Sequence, residues 1–121
     1  MKRNETIQNY LEAIYFIQLE KGKVRAIDVV KYMKYSRPTV SVALKQLETD
    51  GYITIEKNII SLKPEGVKIA KTMSERHEYI AKLLMSLGVS KQTAYMDSCL
   101  IEHDLSNESF NAIKKATRNK K

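Results

Sequence analysis

The chain has 121 residues, a formal charge of +7 and a single cysteine. That length holds one small domain, or one with a helical extension, and not two large independent cores. No apolar run reaches the roughly 18 residues of a membrane span, no apolar leader follows Met1, and Cys99 has no internal disulfide partner, so we expect a cytoplasmic protein that neither spans a membrane nor carries a secretory signal, with a polyanionic partner, either nucleic acid or an anionic surface.

From about Asn4 to Glu20, Ile7, Tyr10, Leu11, Ile14 and Ile17 recur at helical spacing, and Lys21-Gly22 supplies a stop. A shorter helix is predicted from about Ile27 to Met33, poorly capped because neither Arg25 nor Ala26 offers a side-chain acceptor. The next helix, Arg37 to Asp50, is bounded by local chemistry. Ser36 is a good N-cap, Pro38 falls in the first turn where its missing N–H is no loss, and Gly51 accepts a left-handed conformation. Val40, Leu44 and Leu47 form its inner stripe, which turns Pro38, Ser41, Val42, Lys45 and Thr49 outward. Tyr52 to Glu56 alternates with period two, and Ile59 to Leu62 answers it across Lys57-Asn58 as a β-hairpin.

After Pro64 the pattern is helical again. Met73, His77, Ile80, Leu84 and Leu87 form a stripe ended by Gly88, Ser90 caps a helix to about Leu105, and Ser106 caps a last one through Ile113, beyond which the basic tail Lys114–Lys121 is expected to fray. The reading is a mainly α protein: a winged helix-turn-helix with a small hairpin wing over 1–63, then an α-helical region over 64–121, for which dimerisation and metal binding are the roles that the residues and the resemblance given below imply.

Two constellations carry chemistry. Lys23, Arg25, Lys31, Lys34, Arg37 and Lys45 are opposed within their span by Asp28 alone. On the outward helix face, Lys45 suits a phosphate or a guanine edge, Thr39 and Ser41 suit phosphate or base edges, and Val42 suits a thymine methyl group, while Lys57 on the wing adds a phosphate contact. The second is Cys99, Glu102 and His103, which a helix places on one face, with Tyr95 one turn earlier. Thiolate, carboxylate and imidazole together suit a borderline divalent metal. Three donors are too few for an octahedral ion. His77 lies on an apolar stripe facing a neighbour, and Asn9 and Glu12 share a face of the first helix. Each of these residues also has an ordinary role, Cys as a small buried hydrophobe and His as a hydrogen-bonded core residue, so packing stays open as the other reading.

The chain resembles the diphtheria-toxin-repressor family of metal-dependent regulators, which includes the manganese transport regulators. The likeness covers nearly the whole chain and rests on Tyr10-Leu11-Glu12-Ala13-Ile14-Tyr15, Pro38-Thr39-Val40-Ser41, Arg76-His77-Glu78 and Cys99-x-x-Glu102-His103. It implies a homodimer that, with metal bound, binds a palindromic double-stranded operator and represses metal-uptake genes, with no membrane partner and no organic small-molecule substrate. It places the metal donors at Asn9, Glu12, His77, Cys99, Glu102 and His103, and DNA contacts at Arg37, Pro38, Thr39, Ser41, Val42, Lys45 and Lys57. Asn9 stands where the manganese branch has Asp and the iron branch Met, and Cys99 stands where the manganese branch has Glu. Ala81 and Tyr95 replace a Glu and a His of the iron branch's ancillary site. This mixture implies Fe(II) or Mn(II) as the metal, with Zn(II), Co(II) or Ni(II) also bound in vitro. A metal-independent winged-helix regulator with Cys99 as a redox-sensing thiol is the competing reading. An enzyme is not expected, because no Gly-rich loop or orienting third group accompanies Cys99 and His103.

Overall fold

The structure, a computed structural model, describes residues 2–119. It divides into two compact units, Met1–Lys71 and Thr72–Lys121. The first contains α1 (Lys2–Lys21), α2 (Ala26–Met33), α3 (Arg37–Thr49), strands β1 (Ile53–Glu56) and β2 (Ile59–Leu62), and the start of α4 (Pro64–Ser86). The second contains the rest of α4, α5 (Lys91–Ile101) and α6 (Asn107–Asn119).

The core of the first unit gathers the expected stripes: Tyr10, Leu11, Ile14 and Ile17 of α1, Val29 of α2, and Val40, Leu44 and Leu47 of α3 are all buried, with Ile53 and Ile60 from the hairpin. α2 begins at Ala26 despite its poor cap because Asp28 supplies the missing acceptor from within. Its carboxylate accepts the Arg25 N–H at 2.9 Å and a bond from Lys21 Nζ at 2.7 Å. Those bonds, the Lys21 one foremost, lower the pKa of Asp28. α3 has the predicted ends, with Ser36 Oγ accepting from the Thr39 N–H at 3.3 Å and Gly51 at φ +87°.

β1 and β2 pair antiparallel with Ile53 opposite Leu62 and Glu56 opposite Ile59. Lys57 and Asn58 both have positive φ, the two-residue turn whose twist suits a hairpin. The loop after α1 joins this wing: Ile60 donates its N–H to the Val24 carbonyl at 2.8 Å in an antiparallel bridge. No alternation announces a strand around Val24, so this third segment was not legible in sequence.

In the second unit, two helix ends differ from expectation. α5 stops at Ile101 rather than near Leu105: the Asp104 N–H turns back to the Ile101 carbonyl at 3.0 Å, and just past the helix end Arg76 donates to the Glu102 carbonyl at 2.9 Å. α6 runs to Asn119 rather than Ile113, and its basic segment is pinned: Lys114 bonds Glu75 at 2.6 Å and lies 5.7 Å above the Tyr79 ring. Of the tail expected to fray, Lys120 and Lys121 lie outside the described residues. Leu87 lies past the end of α4 and is exposed, unlike Met73 and Ile80 of the same predicted stripe.

Candidate metal centre and nucleic-acid interface

On the first unit, α3 presents Arg37, Pro38, Thr39, Ser41, Val42 and Lys45 to solvent, as the inner stripe requires. Val42 is 72% exposed, an apolar β-branched side chain amid polar neighbours. Arg25, Arg37, Ser41 and Lys45 line a groove of about 680 Å³ that reaches Asn58 of the wing, and Lys57 is exposed beside Asn58. Glu48 is the groove's acidic residue, and its carboxylate accepts the Ile55 N–H at 3.3 Å, tying α3 to β1. A recognition helix, a basic groove and a wing cation therefore occur on one unit, which is the equipment for gripping a phosphate backbone and reading base edges.

The second cluster is built by α4 and the end of α5. Glu102, the C-cap of α5, is buried at 1% exposure. One carboxylate oxygen lies 3.0 Å from Nδ1 of His77 and the other 3.4 Å from Nε2 of His103. Burying a carboxylate demands compensating charge or strong hydrogen bonds: the His77 ring nitrogen lies within hydrogen-bond reach of it, and the His103 ring makes a longer ion-pair approach. Cys99 is exposed, with Sγ 3.6 Å from His77 Nδ1. Four of the predicted donors, His77, Cys99, Glu102 and His103, thus come together within this unit. Asn9, half-buried, and Glu12, buried, stand on α1 in the other unit.

The donor types suit a divalent transition metal: a buried carboxylate with an imidazole against it, a second imidazole beside its other oxygen, and an exposed thiol near the first imidazole. Bound there, such an ion would serve as a Lewis acid holding these side chains in one arrangement. What the chain itself does is orient them. When the neutral His77 ring carries its hydrogen on Nδ1, facing Glu102, its Nε2 is the nitrogen left with a lone pair for a metal. Two neighbours of the cluster were not foreseen. Ser98, fully buried one residue before Cys99, has Oγ 2.9 Å from His77 Nδ1 and bonds the Tyr95 carbonyl at 3.2 Å. Arg76 bonds the backbone carbonyls of Glu102 and Leu105. A serine inside a helix carries no sequence signal of this kind, whereas Arg76 adjoins His77 in a motif already singled out. Tyr95 points its hydroxyl not at the cluster but at Glu78, at 2.9 Å, and that bond raises its pKa. Its ring lies 5.2 Å from that of His77.

With that geometry in view, two family models match the chain: the iron dependent repressor N-terminal DNA binding domain over residues 3–59, and the iron dependent repressor metal binding and dimerisation domain over residues 63–121. The transcriptional regulator MntR of Salmonella typhimurium is 37% identical over 112 residues, spanning 92% of this chain and 71% of that protein. The HTH-type transcriptional regulator MntR of Lysinibacillus sphaericus is 31% identical over 109 residues, spanning 89% and 78%. Among solved structures, the metal-dependent transcriptional regulator MtsR superposes with a TM-score of 0.84 at 26% identity, over 91% of this chain and 52% of that one. The manganese regulator SloR does so with a TM-score of 0.81 at 22% identity, over 93% and 53%, a likeness of fold. The chain spans about half the length of these two structures.

Proposed function

The chain belongs to the iron dependent repressor family, and from that premise we propose that it is a dimeric, metal-activated repressor that binds a palindromic operator and controls metal-uptake genes. The observation that carries the metal half of this reading is the buried Glu102 carboxylate flanked by His77 and His103. Exposed Cys99 adds a soft donor, which suits Fe(II) beside the Mn(II) for which SloR is named. Asn9 and Glu12 are proposed as further donors on the strength of the family resemblance alone. The role is binding rather than catalysis, and the place of action is the cytoplasm, where a regulator meets DNA and an exposed thiol stays reduced. Among the described residues no helix is long and apolar enough to cross a membrane. A metal-independent redox switch at Cys99 is the less favoured reading, since it leaves the Glu102 pairing without a function.

The test is operator binding titrated with Mn(II) or Fe(II) under reducing conditions, with chelator as control. Metal should raise operator affinity in the parent, and Glu102→Gln or His103→Ala should abolish that rise while leaving weak, salt-dependent DNA binding. Operator affinity indifferent to metal in the parent would refute the reading. On the DNA side, Lys45→Ala should lower the salt slope by about one if Lys45 meets phosphate, or relax specificity at one base pair if it meets a base.

A further inference from the structure

Arg76 is a buried cation whose partners, among the described residues, are neutral. One terminal nitrogen donates to the carbonyl oxygens of Glu102 at 2.9 Å and Leu105 at 2.7 Å, the other to Asn107 Oδ1 at 2.7 Å, and the guanidinium lies 5.3 Å from the Phe110 ring centre. Desolvating a guanidinium against carbonyls is costly, and a residue wanted only for its volume would be apolar. What the arrangement achieves is geometric. Consecutive residues on a helix point in different directions, so His77 and Arg76 hold the last turn of α5 and the turn that follows it from two sides. His77 meets the side chains of Ser98, Cys99 and Glu102, while Arg76 grips the backbone of the turn that carries Glu102 and His103.

We infer that Arg76 is a positioning residue for the metal donors: its fork on the Glu102 and Leu105 carbonyls and on Asn107 ends α5 at the register that sets the Glu102 carboxylate against His77. Arginine suits the task because its planar fork holds several acceptors at fixed angles, where a lysine ammonium offers a single centre. The inference rests on the metal-binding reading above.

Co(II) is the probe, titrated into the metal-free full chain under reducing conditions and followed by its ligand-field absorption, with thermal melts of the metal-free protein alongside. Arg76→Gln should weaken Co(II) binding about 10- to 100-fold, the range typical of losing a group that orients a ligand, and should change the absorption bands. Arg76→Lys should recover part of the affinity, and Asn107→Ala, which removes one of three hydrogen bonds, should fall between parent and Arg76→Gln. A role in stability alone would lower the melting temperature and leave the affinity and bands of the folded protein unchanged, which would overturn the inference. If Arg76→Gln does not fold, Arg76→Lys and Asn107→Ala decide: parent-like affinity in both overturns it, and a graded loss upholds it. A parent that takes up no Co(II) overturns the metal-binding reading as well, whereas a parent that binds, with variants that match it, overturns this inference alone.

Discussion

Gly66, in the first turn of α4, has no room for a side chain: a Cβ there would run into the Tyr52 carbonyl oxygen, which already accepts the Lys63 N–H at 2.9 Å. In an open helix, Gly→Ala gains about 1 kcal/mol. Against a backbone atom the overpacking cost of about 1–3 kcal/mol outweighs that gain. Gly66→Ala should therefore lower stability in urea unfolding, and a raised midpoint would show that the approach is not tight. Of the donors proposed from the family resemblance, Cys99 and Asn9 are the two at which that resemblance implies a departure from the manganese branch. Cys99→Glu replaces a soft donor with a hard one and should shift preference toward Mn(II) over Co(II), and Asn9→Asp combined with it should shift it further than either change alone. Competition titrations would check this, and unchanged selectivity in the double variant would remove both residues from the donor set. His77, Glu102 and His103 could be read as ligand candidates because their side-chain chemistry is unusual on a helix. The roles of Ser98 and Gly66 could not, because each acts through a neighbour far along the chain, and for Arg76 the motif with His77 marked the position but not the carbonyls it holds.

Helix ends were legible where the signal is local. Ser36 and Gly51 bound α3, and Ser90 caps α5 by accepting the Thr93 N–H at 3.3 Å. They were illegible where a distant side chain intervenes, as Arg76 does at the end of α5 and Glu75 does at Lys114. α2 shows a third case, a cap supplied from the third helical position. Because the Asp28 pKa is lowered on folding, its contribution to stability is present above the unfolded value of about 4 and is lost as pH falls through the lower folded value. Asp28→Ala should cost about 0.5–2 kcal/mol at pH 7, the range for a lost cap. Urea unfolding from pH 7 down to pH 2 should show parent and variant converging on the acid side. A constant difference across that range would mean that Asp28 acts by packing and not through its charge.

For the whole molecule, the first unit carries the basic groove, and the second displays Met96 and Leu100 of α5, exposed at 61% and 67%. These two are four residues apart and so share one face of the helix. The homodimer expected of the family, if it buries this face, would cover the pair with a second copy of the same surface, as twofold symmetry requires. Two reading heads then meet two half-sites, so the loss of the dimer should cost operator affinity far more than it costs binding to random DNA. Replacing both residues, Met96→Glu with Leu100→Glu, places like charges across that contact. Sedimentation should then find the 13.9 kDa monomer at micromolar concentration, where the parent sediments at about twice that mass. The variant should keep its metal-free circular dichroism and its salt-dependent affinity for random DNA, because neither residue belongs to the core or to α3. It should lose tight operator binding at any metal concentration. A variant that stays dimeric would place the interface elsewhere on the second unit, and a monomeric variant with parent-like operator affinity would mean that a single head suffices for recognition.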